Sequence, residues 1–232
     1  YDKYGNIKYD ATNSVYFKSS DSSAVLTYDS GNPYKFQGIT DFGSNVFANT
    51  NFKYRAAGIQ NLIVTNEQWG VADRINGIEV VAGDVSGFIS AATVKTAEAG
   101  VAFNIEVTDA TDIYGNLVSG TAVVSLSNAL ASNLNNISVV NGAGTNSQII
   151  YDATTNRVVF KVYMGSITNR VVLSNVRPTD EIGSLQIISS VTKVTAGEYI
   201  NQPVIVKIYD KYGNIKYDAT NSVYFKSSDS SA

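Results

Sequence analysis

Apolar residues along this chain recur at every second position rather than at the spacing of a helix face. Val204, Val206 and Ile208 alternate with Ile205, Lys207 and Tyr209, and Phe160 and Val162 alternate with Lys161 and Tyr163. Val15 and Phe17 are set between Ser14, Tyr16 and Lys18, and Leu62 and Val64 between Asn61, Ile63 and Thr65. Such segments, rich in β-branched and aromatic residues, predict short strands with one inward face. Clusters of Gly, Asn, Asp and Ser separate them at roughly 8–12 residues, the rhythm of sandwiches and barrels. No stretch carries a helical stripe. The best candidate, 91–100, is interrupted by Thr93, Val94 and Thr96 and reads as strand plus turn. The pattern predicts an all-β fold.

One turn sequence stands out, Asp-x-Tyr-Gly-Asn. It occurs as Asp2, Tyr4, Gly5, Asn6; as Asp112, Tyr114, Gly115, Asn116; and as Asp210, Tyr212, Gly213, Asn214. Asp and Asn bond back to nearby backbone and Gly accepts positive φ, so the unit predicts a hairpin turn. The Tyr is expected over the sheet edge with its hydroxyl in water.

The first and last copies belong to a longer repeat. Residues 1–24 and 209–232 are identical, an offset of 209 − 1 = 208. The middle copy marks a weaker repeat inside that period, and an Ala-Gly pair precedes each full unit, Ala99-Gly100 and Ala196-Gly197. One period therefore holds two diverged modules of about 100 residues. Residues 1–83 read as module A lacking its first strands, and 84–179 as module B. The polar Pro/Gly stretch 177–183 reads as a linker. Residues 184–232 supply the first strands of the next copy of module A.

A sandwich without those strands exposes apolar surface and unpaired backbone. Neighbouring residues of one very long chain would complete it. Alternatively, Val204, Val206 and Ile208 would complement the sheet of another copy by strand addition, building a filament. The duplicated 24 residues would compete for one place in strand exchange, which favours a window on a long tandem chain. Such a chain can itself form or bundle into a fibre.

Composition narrows function by exclusion. The chain of 232 residues has no His and no Cys. That removes the Ser-His-Asp triad, thiol nucleophiles, disulfides and ordinary zinc sites. The net charge, 17 − 20 = −3, argues against a nucleic-acid partner. Apolar runs are far too short for a membrane span. The chain begins with Tyr and is expected to be a fragment or processed product.

The order Ala196-Gly197, strand 204–209, turn 210–214 and strand 223–229 ending in Ser-Ser-Asp resembles the Ig-like tandem repeats of large bacterial and archaeal surface proteins. The Phe-rich segment 47–52, Ala57-Gly58 and the strand 62–65 extend the likeness. It covers most of module A and residues 99–124 of module B. The family is similar to invasin-type stalks, giant adhesin repeats and S-layer-associated repeats. The resemblance implies tandem Ig-like β-sandwich modules, extracellular display at the cell surface or in a secreted filament, and no catalysis.

Candidate chemistry is sparse. Glu98, Glu106, Asp109 and Asp112 lie near one hairpin, but nothing predicts the cleft a carboxylate pair needs. Asp84, Asp109, Asp112 and Asp180 are calcium candidates because they fall in loops or junctions. They lack a Ca-loop spacing, and solvated turn aspartates are the favoured reading. No other cofactor is expected. The function expected is that of a structural repeat unit in a stalk or filament, its partner being further copies of itself. The alternative is an adhesin or carbohydrate-binding module using Trp69 and exposed Tyr.

Overall fold

Alternating segments become strands wherever a neighbour completes their hydrogen bonds. The computed structural model describes residues 1–28, 33–40, 43–47, 51–126, 131–132 and 134–228. By its contacts the chain divides into two units, Tyr1–Ser86 with Thr111–Val118, and Gly87–Ala110 with Ser119–Ala232.

The first unit contains β1 (Ser14–Ser19), β2 (Val25–Leu26), β3 (Tyr34–Lys35), a 3-10 turn at Gly38–Thr40, β4 (Phe52–Lys53), β5 (Gly58–Asn66) and β6 (Val71–Val80). They form an antiparallel sheet in the order β3-β1-β5-β6 and a β2-β4 ribbon. Phe17 sits opposite Val64 in the β1–β5 register. Its ring meets Phe47 at 4.9 Å and Phe52 at 5.1 Å, both edge-on, the geometry that the ring quadrupole favours. Beside this cluster the buried Asp21 carboxylate accepts the N–H groups of Arg55 (2.7 Å) and Ala56 (2.9 Å). It thereby fixes the loop between β4 and β5.

The second unit contains β7 (Gly87–Ala92), β8 (Thr96–Glu98), β9 (Phe103–Thr111), β10 (Gly120–Leu126), β11 (Ala131–Ser132) and β12 (Ile137–Val139). It continues with β13 (Gly144–Tyr151), β14 (Val158–Met164), β15 (Ile167–Leu173), β16 (Asn175–Arg177), β17 (Ile182–Ile188) and β18 (Ile205–Asp210). Two four-stranded sheets, β12-β10-β14-β15 and β11-β13-β9-β7, make an Ig-like β-sandwich. Phe103 of one sheet meets Phe160 of the other at 5.7 Å. Ile105, Val107, Val124 and Val162 of the same two sheets are buried as well. Along β14 the buried positions alternate strictly from Val158 to Met164, as its sequence predicts. Strands β8 and β16 form a short parallel pair. The segment 91–100 contains the end of β7 and then β8, with no helix.

Strands β17 and β18 form a separate two-stranded hairpin. The strand expected at 204–208 occupies Ile205–Asp210, so Val204 lies just outside it. Pairing with β17 sets that boundary, since Ile188 opposite Ile205 is the last pair.

Candidate functional site

The three Asp-x-Tyr-Gly-Asn copies share one local geometry. Asp112 Oδ1 accepts the N–H groups of Tyr114 (2.8 Å) and Asn116 (3.0 Å), while Asn116 Nδ2 donates to Asp112 Oδ2 at 2.8 Å. Asp210 receives Tyr212 (3.0 Å) and Asn214 (2.8 Å) in the same way, and Asp2 receives Tyr4 (2.8 Å) and Asn6 (2.9 Å). Gly5, Gly115 and Gly213 have φ of +85°, +85° and +83°. A branched side chain is strained there even with open space around it. Gly115→Val is therefore expected to lower unfolding stability by about 1 kcal/mol or more, measured by urea denaturation. An unchanged midpoint would contradict a strained turn.

The copies differ in what lies beyond the turn. In the first unit the Asn116 amide reaches the loop between β4 and β5. Its Nδ2 donates to Arg55 O at 2.7 Å, and its Oδ1 accepts the Ala57 N–H at 2.8 Å. In the second unit Asn214 does the same, with Nδ2 donating to Asp152 O at 2.7 Å and Oδ1 accepting the Thr154 N–H at 3.0 Å. A side-chain amide offers a donor and an acceptor side by side, so it pairs with residues i and i+2 as a neighbouring strand would. The Asp carboxylates gain a further donor, Gly83 N–H on Asp112 (2.9 Å) and Thr179 N–H on Asp210 (3.2 Å). We refer to each arrangement as a clasp.

The tyrosines complete it differently. Tyr212 lies against Gly100, where a Cβ would run into the phenol ring. The Ala-Gly pair and the turn thus meet in space. Tyr114 instead sits with Lys53 Nζ and the Arg55 guanidinium, each 5.6 Å from its ring centroid.

The 2–6 copy shows the turn without a clasp. Among the described residues Asn6 bonds only to Asp2, and Asp2, Tyr4 and Asn6 are exposed. Asp112 and Asp210, by contrast, are 4% and 1% exposed.

Electrostatics follow from these bonds. Burial alone would raise the Asp112 pKa. Bonds from the Asn116 side chain and the Gly83, Asn116 and Tyr114 amides outweigh it, bringing the value from 3.8 down to about 2. Burial also works upward at Asp210, and the Asn214 side chain with the Asn214, Thr179 and Tyr212 amides carries it below its ordinary value. At Asp21 the upward push of burial is overcome by Ala56, Ser23 and Arg55 donors, which hold it well below the carboxylate range.

The calcium candidates are dispersed. Asp84 and Asp109 are exposed, Asp112 is saturated by four N–H donors, and Asp180 pairs with Lys216 at 3.1 Å. Among the described residues no three Asp, Glu, His or Cys side chains gather as metal ligands would. Trp69 is half-exposed and lines an open groove with Val15, Phe36 and Val64. No helix among the described residues is long and apolar enough to cross a membrane.

The sequence reading missed the receiving side of each clasp, residues 55–57 and 152–154 with Gly83 and Thr179. These contribute backbone groups, which any residue type supplies. The one available signal is distance along the chain. Ala57 precedes Asn116 by 59 residues and Thr154 precedes Asn214 by 60.

No protein-family model matches the sequence, and neither does any of the curated proteins. Among solved structures the chain is similar to invasin, a bacterial integrin-binding protein, with 15% identity, 89% of this chain and 41% of that one covered, and a TM-score of 0.45. It is similar to the FdeC adhesin of Escherichia coli, with 14% identity, 88% and 64% coverage and a TM-score of 0.46. It is likewise similar to surface layer protein SbsC, domains 4-9, with 16% identity, 92% and 31% coverage and a TM-score of 0.37. The chain spans less than two thirds of each of these chains.

Proposed function

We propose that the chain is a structural, force-transmitting repeat unit of a long extracellular surface protein, a stalk or filament built from Ig-like β-sandwich modules in tandem. The observation that carries this reading is the repetition of the clasp. Asn116 and Asn214 make the same pair of backbone bonds to a loop about sixty residues earlier. The same device built twice in one chain whose first and last 24 residues are identical suits regular linkage better than a single reaction centre. The lack of His and Cys agrees with a scaffold.

Pulling the chain through its two ends in single-molecule force spectroscopy tests the reading. Asn116→Ala with Asn214→Ala removes from each clasp the two bonds to the receiving loop and the side-chain bond to the turn Asp, each worth about 1 kcal/mol net. The expected result is a lower rupture force at the first events. Identical force traces for the parent and the double variant would end the force-transmitting reading. An adhesin reading rests on Trp69 in its open groove. It would be favoured by glycan-array binding that Trp69→Ala abolishes.

A further inference from the structure

The sandwich of the second unit sorts its charges by sheet. Strands β10, β12, β14 and β15 make one of its two sheets and contain no Asp or Glu. Alternation fixes the outward positions of that sheet. On β14 the buried Val158, Phe160, Val162 and Met164 face the core, so Val159, Lys161 and Tyr163 face out. The strand registers carry this face across the sheet. Ser125, Lys161 and Arg170 form one row, and Val123, Tyr163 and Thr168 the next. Val159 opposite Val172 adds an apolar row on one side, and Thr121 opposite Ser138 adds hydroxyls on the other.

The cationic row is unfavourable by itself. Lys161 and Arg170 stand directly opposite each other, with Cβ atoms about 5 Å apart, and like charges so placed repel. Both are exposed, and among the described residues neither meets a carboxylate. Arg177, Lys211 and Lys216 of the same unit each do, at 3.0, 2.6 and 3.1 Å. Exposed carboxylates lie instead on the opposite sheet, at Glu106 and Asp109 of β9. A cationic face on a chain of net charge −3 therefore has no counter-charge of its own.

The neighbours of the pair select the kind of anion. The Tyr163 and Ser125 hydroxyls bond to each other beside it, and Thr121, Ser138 and Thr168 are exposed around them. An aromatic ring, hydroxyls and free cations together suit the C–H face, the hydroxyls and the carboxylate of an acidic sugar. The planar fork of Arg170 matches a carboxylate in particular. Four strands span about 14 Å of open surface, which suits a polymer laid across them rather than a small molecule in a concave pocket. Two cations are too few for the dense phosphates of a nucleic acid.

We propose that the outer face of the β12-β10-β14-β15 sheet binds an acidic polysaccharide. Its carboxylates pair with Lys161 and Arg170, and its sugar rings lie against Tyr163 and the surrounding hydroxyls. This adds a binding role to the structural one. None of the residues belongs to a clasp, so failure of either reading leaves the other standing.

Biolayer interferometry of the full chain on immobilised polygalacturonate tests the proposal, with dextran as a neutral polymer and polyglutamate as an acidic polypeptide. Saturable binding to polygalacturonate is expected at about 50 mM salt, weakening about tenfold or more at about 500 mM as screening shortens the reach of the charges. Lys161→Gln with Arg170→Gln is expected to weaken it about tenfold or more, the loss of at least one charge-assisted bond. Lys95→Gln with Lys193→Gln removes the same net charge from other exposed positions and is expected to leave the affinity unchanged. Since Lys161 and Arg170 repel each other, their replacement is not expected to lower the urea midpoint. No binding to polygalacturonate, equal binding to dextran or polyglutamate, or equal losses from the two double variants would each overturn the proposal. So would a lower midpoint, which would give the pair a role within the fold.

Discussion

Asp210→Ala is expected to release the β17–β18 hairpin from its clasp, while Asp2→Ala leaves the protein unchanged. Both residues occupy the first position of the same turn. Asp210 is almost fully buried and accepts the Thr179, Tyr212 and Asn214 N–H groups. Alanine leaves those donors without their acceptor. The cost of an orphaned buried donor is about 1–3 kcal/mol, and the groups act together, so roughly 3 kcal/mol is expected for local opening. Amide hydrogen exchange at Thr154 and Thr179 reads it directly, with rates rising about a hundredfold. Asp2 makes the turn bonds alone, and water replaces them when the carboxylate is removed. Equal responses from the two variants would mean that the turn, and not the docking, sets stability at this site.

This contrast also marks what the amino-acid sequence makes legible. The alternation from Val158 to Met164 reads the same as letters and as burial, because a two-sided strand must sort its residues by face. The Asp, Gly and Asn of the turn are visible because their roles are local. The reach of Asn116 to Arg55 and Ala57 is not, since its partners are main-chain groups with no residue signature. Gly100 and Tyr212 each stand out in a repeated motif, yet their contact across more than a hundred residues appears only in three dimensions. The alternation read at Val206 and Ile208 has no counterpart in burial, since residues 206–209 are all half-buried. The same letters form β1 at 14–19 and no strand at 222–227, so tertiary context decides whether that segment pairs.

Stability is expected to stay level from about pH 5 to about pH 9 and then to fall steeply below about pH 4. The chain has neither His nor Cys to titrate in the level range. The acid limb belongs to Asp21, Asp112 and Asp210, whose folded-state pKa values all lie below the unfolded one. The unfolded chain therefore binds protons first as pH drops. The stabilisation is whole above the unfolded value of 3.8 and is lost as pH falls toward and through the folded values, about 2 for Asp112. A shift of that size corresponds to roughly 2 kcal/mol at neutral pH for one buried carboxylate. Each proton also removes an acceptor from the clasp, so acid should open Asn116 and Asn214 docking together with the β4–β5 loop that Asp21 holds. Thermal melts followed by circular dichroism at half-unit pH steps would show it. Asp112→Asn keeps one acceptor oxygen and no charge, so its plateau should be lower and its acid limb shallower than the parent's. A midpoint that declines already near pH 6, or an Asp112→Asn limb as steep as the parent's, would place the acid sensitivity outside the clasps.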